Sequence, residues 1–226
     1  MIMKLLDITK IVIILYFVNL FLYSLFSLIG IDSLEKVFWF IRIPILLVLY
    51  LFTSKRKQLL YIFALLLYQS ASVCFRLETP NFFIYGTLSS VLFKFCLLIL
   101  ILDLVTKKNR LAVGIAFIPF MILYLYVIEI VVSALGDVYY VWIINALLTS
   151  FIGGVGIINY IHNADKKSYW LLISGILFII QIGAFFINKF YIKNEAIYQL
   201  VILSYGISHF TFYKFLILKE EEKYIN

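Results

Sequence analysis

The sequence predicts an all-α fold: a polytopic integral membrane helix bundle of eight transmembrane helices with both termini cytoplasmic. Three observations lead there. Hydrophobic residues make up 65% of the chain and charged residues 14%, with a mean hydropathy of +1.07; soluble domains hold about 45–50% apolar and about 25% charged residues. The apolar residues fall into eight runs close to the roughly 20 residues that cross a bilayer. The basic residues collect in alternate loops between those runs. No stretch is polar and long enough for a soluble domain, so residues 1–226 read as a single membrane domain.

The spans follow in order. The first covers residues 11–31, after Lys4 and Lys10; its apolar run is too long for a signal peptide and no small-residue cleavage site follows. Asp32, Glu35 and Lys36 end it. The second covers 37–53, with Arg42 and Pro44 inside and Lys55, Arg56 and Lys57 behind it. The third covers 59–75, with Gln69, Ser72 and Arg76 on one helical face. Thr79-Pro80-Asn81 is turn chemistry. The fourth covers 82–105; Gly86, Ser90 and Lys94 recur at i, i+4, i+8 and mark an inward face. The fifth covers 111–135, with Pro119 and Glu129, and Gly136-Asp137 turns the chain. The sixth covers 138–161, where Asn145, Thr149, Gly153 and Gly156 form a packing stripe of small and polar residues. The seventh covers 169–188 with Gln181, and the eighth 196–216 with Tyr205, Ser208 and His209. The tail from Lys219 to Asn226 reads as a frayed, charged end. Short loops make sequential helices the expected neighbours.

The loops on the side of the N-terminus hold twelve lysines and arginines and the opposite loops four (Lys36, Arg76, Lys189, Lys193). Under the positive-inside rule this places both ends in the cytoplasm of a multi-pass cell (inner) membrane protein. The net charge of +7 is spent on topology; no basic face is large enough for nucleic acid. Cys74 and Cys96 lie within spans, without metal-ligand spacing, and read as small buried hydrophobes. No metal or cofactor is expected.

Polar side chains inside spans are the functional candidates. Arg42, Gln69, Glu129, Asn145 and Gln181 fall in the half of their spans away from the cytoplasm, Lys94 near the middle, Asn19 and His209 in the cytoplasmic half. A lysine at mid-membrane costs about 2.5–3.5 kcal/mol on insertion scales, so Lys94 needs partners. One reading is a polar cavity lined by Arg42, Gln69, Lys94, Gln181, Tyr205 and His209. The plain alternative is an Arg42–Glu129 ion pair, a snorkelling Lys94, His209 bonded to a neighbouring hydroxyl, and amide hydrogen bonds between helices. Gly153-Gly154-Val155-Gly156 is mid-helix and reads as packing, not as a phosphate loop.

Size, span number and topology together resemble the bacterial YhhN-type family of lysoplasmalogenase-like proteins. Where that family has a Lys-Pro near the start of its second helix, this chain reads Arg42-Ile43-Pro44. Its eighth helix has tyrosines followed by Ala-Gln; here Tyr205-Gly206-Ile207-Ser208-His209 is similar in pattern, with His209 in place of the Gln. The family's Gly-Asp of helix three meets Gln69-Ser70-Ala71-Ser72, and its Ser-Asp of helix seven meets Phe178-Ile179-Ile180-Gln181, so both acids are missing. The resemblance implies the fold and a membrane lipid or lysophospholipid as partner. Cleaving a vinyl ether needs a proton donor and an activated water; Glu129 is the candidate for one carboxyl and nothing supplies the second, which leaves catalysis open. Two other classes remain: a small transporter or permease using Arg42, Lys94 and Glu129, and a non-catalytic membrane subunit or immunity-type protein whose polar residues only join helices.

Overall fold

The computed structural model describes residues 2–77 and 79–225, with side chains for 8–77 and 79–222. Regular structure among them is entirely helical: α1 (Ile2–Ile29), α2 (Asp32–Thr53), α3 (Leu59–Arg76), α4 (Pro80–Ile101), α5 (Arg110–Ile130), the short α6 (Val132–Leu135), α7 (Tyr139–Asn163), α8 (Lys166–Phe186) and α9 (Glu195–Ile225). Eight helical segments are long and apolar enough to cross a membrane; α6 and α7 count as one. Leu111, Ile115, Ile118 and Ile122 stack along one exposed face of α5. An uninterrupted apolar outer face of this kind is what a bilayer covers.

Several boundaries differ from the sequence reading. Asp32 and Glu35 do not end the first helix; they form the first turn of α2, where carboxylates complement the helix dipole. Thr79 caps α4 by accepting a bond from Phe82 N–H, with Pro80 at its first position. The fifth span breaks at Val131. Gly136 turns there with φ +53, a conformation that favours glycine.

The helices form a ring in the order α1, α2, α3, α4, α7, α8, α9, closing where α9 meets α1 and α2. Helix α5 stands outside, against α7 and α8. Sequential helices are neighbours as expected, with one exception: α7, not α5, packs beside α4. The reason lies in the stripe on α7. Asn145 Nδ2 donates to Ser90 of α4 (2.9 Å), and its Oδ1 accepts from Tyr124 of α5 (3.1 Å) and from Thr149 (3.2 Å). On the other flank, a Cβ on Gly175 of α8 would lie 3.0 Å from the Gly153 Cα. Glycines let these backbones meet, and α7 offers a polar edge and a smooth edge together.

Pro44 shows local chemistry setting a tertiary contact. Lacking an N–H, it leaves the Phe40 carbonyl without its helical partner. Gln69 Nε2 supplies the bond from α3 (3.2 Å). Gln69 is therefore a helix-joining amide, because a freed carbonyl in an apolar bundle must be satisfied by a neighbour.

The tail is also corrected. Helix α9 runs on to Ile225, with Lys219 and Glu220 buried. Lys219 pairs with Asp103. Ser54 (2.9 Å) and Tyr50 (3.3 Å) donate to Glu220, while Lys167 pairs with Glu222 (2.5 Å). These bonds gather the α2–α3, α4–α5 and α7–α8 connections and the end of α9 at one end of the bundle. Ser27–Glu195 and Arg76–Glu35 contacts mark the other end. Lys4 and Lys223, counted above for topology, fall outside the described side chains, and Asn226 outside the described residues.

Candidate functional site: a cationic cavity inside the ring

A cavity of about 830 Å³ enters the ring from the end away from the chain termini. That is within the 300–1,000 Å³ typical of small-molecule sites. Its rim comes from the first turns of α2 and α9 and the last turns of α3 and α8. At the rim Arg76 donates to Glu35 (2.9 Å) and lies 4.7 Å from the Trp39 ring. Tyr198 donates to the other Glu35 oxygen (3.0 Å). Since the single Tyr198 hydroxyl proton is committed there, Tyr23 is the donor in the 3.2 Å contact between the two hydroxyls. Helix α8 ends in a π-helical turn, Ile187–Tyr191, whose Asn188, Lys189 and Phe190 line the rim. Such turns recur at functional sites.

Arg42 lies seven residues beyond Glu35 on α2, about 10 Å deeper at 1.5 Å per residue. It is 2% exposed. One terminal nitrogen donates to the Tyr68 hydroxyl (3.2 Å), and the guanidinium carbon sits 5.7 Å from the rings of both Tyr23 and Tyr205. Three tyrosines thus hold the cation by ring faces, leaving Nε without a hydrogen-bond partner among the described residues.

Lys94 is the deepest charge, about 21 Å along α4 from Pro80. It is 1% exposed and lines the cavity. Its ammonium lies 3.4 Å from the centre of the Phe178 ring and finds no hydrogen-bond acceptor among the described residues. A ring face replaces only part of the hydration an ammonium loses on burial. Ser90, whose oxygen already accepts from Asn145, keeps its proton to donate. Gln181 of α8 accepts from Ser208 (3.0 Å) and also lines the space.

Of the residues picked from sequence, Arg42, Lys94, Gln181 and Tyr205 meet at this cavity. Gln69 does not, being spent on the Phe40 carbonyl. His209 lies beneath, its ring 3.9 Å from that of Tyr68 and near Phe93 and Phe178. Among the described residues its Nε2 has no hydrogen-bond partner, a hydroxyl included. Glu129 is exposed on the outer helix α5, one residue from its end, and makes no ion pair with Arg42. The carboxylates lining the cavity among the described residues are Asp32, Glu35 and Glu195, all in first turns at the rim.

Glu35, Trp39, Tyr23, Tyr68 and Tyr198 belong to the site without having been picked out. A periodic signal existed: Glu35, Trp39 and Arg42 fall at i, i+4, i+7, and Tyr198 and Tyr205 at i, i+7. Among 17 tyrosines, spacing alone does not separate rim from core. Comparison with family models, with curated proteins and with solved structures gives no match to the chain.

Proposed function

We propose that the chain is a multi-pass cell-membrane protein that takes an amphiphile of the lysophospholipid class into the cavity of its helix ring and binds it there. What supports this is Lys94: a buried amine in the wall of the cavity, with no acceptor among the described residues, is a site arranged for a ligand's oxygens. The proposed kinship with YhhN-type proteins, on Arg42-Ile43-Pro44 and the Tyr205–His209 pattern, suggests the same ligand class. With Glu129 on the outer face, no carboxylate among the described residues stands beside Lys94 to serve as the acid of an ether hydrolysis, so the reading is binding rather than cleavage.

The test is a Lys94→Met variant. Methionine matches the stem and removes a desolvated charge, so detergent melting should hold or rise, while lipid that co-purifies with the parent, read by mass spectrometry, should be lost. Lower stability with unchanged lipid would make Lys94 a structural partner and end the proposal. A transport reading draws on the π-helical turn at the rim and on Pro44, both places where a helix can flex; it requires the packed layer of Tyr61, Phe93, Phe178 and Phe212 beneath the cavity to open.

The twelve-to-four distribution of basic residues further leads us to propose that both termini are cytoplasmic and that the cavity opens outward. A membrane-impermeant thiol reagent applied to intact cells should label a cysteine at exposed Asp137 and spare cysteines placed at 55–57 or 107–110. The reverse pattern inverts the topology.

A further inference from the structure

Charge inside the cavity is sorted by depth. The rim carries both signs, and its carboxylates are partly engaged: Glu35 with Arg76 and Tyr198, Glu195 with Ser27 and Gln199. The lining acids among the described residues, Asp32, Glu35 and Glu195, all sit at the rim, while the interior carries Arg42 and Lys94. Each retains an unbonded nitrogen, Nε of Arg42 and Nζ of Lys94, in a side chain at least 98% buried. Below them the bundle is filled by Phe93, Phe178 and His209, which leaves no room for an acyl chain beyond the cations.

We propose that the interior is a phosphomonoester site: it receives a dianionic phosphate, headgroup first, between Arg42 and Lys94, and selects against zwitterionic choline or ethanolamine headgroups. This inference rests on the amphiphile reading above and narrows it. Two basic side chains match the two charges of a phosphomonoester, and Arg presents its planar donor fork to phosphate oxygens. Entering head-first, the amine of a zwitterionic lipid would be the deepest group. It would face two like charges with no acid to receive it, in surroundings where such repulsion is weakly screened. The acyl chain then trails back through the aromatic upper cavity toward the rim.

The experiment uses the full chain in detergent and follows the fluorescence of Trp39 and Trp142, both of which line the cavity. The probes are lysophosphatidate and lysophosphatidylcholine of one acyl length, and inorganic phosphate. Lysophosphatidate should bind at least about tenfold tighter than the choline lipid, the size of one charge-assisted hydrogen bond, and should lose that preference in Lys94→Met. Inorganic phosphate should compete only weakly. Equal affinity for the two lipids overturns the headgroup inference and leaves the amphiphile reading standing. Tight inorganic phosphate binding with no gain from an acyl chain supports the dianion site and overturns the amphiphile reading. No response to any probe overturns both. Because the central comparison is between two ligands on the parent protein, it does not depend on a variant folding.

Discussion

A Gly175→Ala substitution is expected to lower stability by about 1–3 kcal/mol, and Gly175→Leu to prevent recovery of folded protein. The added Cβ would lie 3.0 Å from the Gly153 Cα and 3.5 Å from Gly153 N and the Ile152 carbonyl oxygen. These are backbone atoms and cannot rotate away, so helices α7 and α8 would have to separate. Separation would be felt beyond the seam, because α7 also carries the Asn145 bonds to α4 and α5. Gly183→Ala is the internal control. It lies on the same helix, and its nearest neighbour is the Val127 Cγ2 at 3.8 Å, an ordinary contact, so its melting temperature should stay near the parent's. Gly153→Leu should resemble Gly175→Leu, since Phe120 (3.0 Å) and Ile179 (3.2 Å) already fill the space a side chain needs. If Gly175→Ala and Gly183→Ala melt together in detergent, the seam is not a close contact.

Glu220→Ala should cost about 3 kcal/mol and expose the α2–α3 connection to protease. The Glu220 carboxylate is the hub of two relays. The Ser54 hydroxyl donates to it and accepts from Lys57 N–H (2.8 Å). The Tyr50 hydroxyl donates to it and accepts from Gln58 N–H (2.9 Å). Both relays end on the backbone of a turn in which Lys57 has φ +46, a left-handed conformation that costs a non-glycine residue about 1–2 kcal/mol. Hydrogen bonds to an ionised group contribute about 1.5–3 kcal/mol each, and two sharing one carboxylate do not add fully. Melting in detergent gives the stability change; tryptic cleavage at Lys55–Lys57 reports the turn. Glu220→Gln keeps one acceptor oxygen and should fall between parent and Glu220→Ala. Unchanged melting and unchanged cleavage in Glu220→Ala would show that the end of α9 does not fasten this connection.

Composition alone decided that the chain forms long apolar helices, because a chain that is 65% hydrophobic cannot hide its side chains within so few residues. The helical repeat decided which faces carry the polar groups: Gly86, Ser90 and Lys94 turn inward as their spacing requires, and so do Asn145, Thr149, Gly153 and Gly156. Short loops made most sequential helices neighbours, and the one exception was decided only by the tertiary structure. Loop length brings α5 next in sequence after α4, yet α7 takes the place beside α4 because side-chain fit and buried hydrogen bonds outweigh chain proximity. The fate of each polar residue was decided in the same way. Gln69 and Gln181 are the same chemical group at similar expected depth. One is consumed by the carbonyl that Pro44 frees, and the other reaches the cavity. Glu129 reads as buried from its place in the sequence and is exposed because α5 stands outside the ring. A hydrogen bond or a cavity wall is a relation between helices, and periodicity within one helix carries no information about which helix it will face.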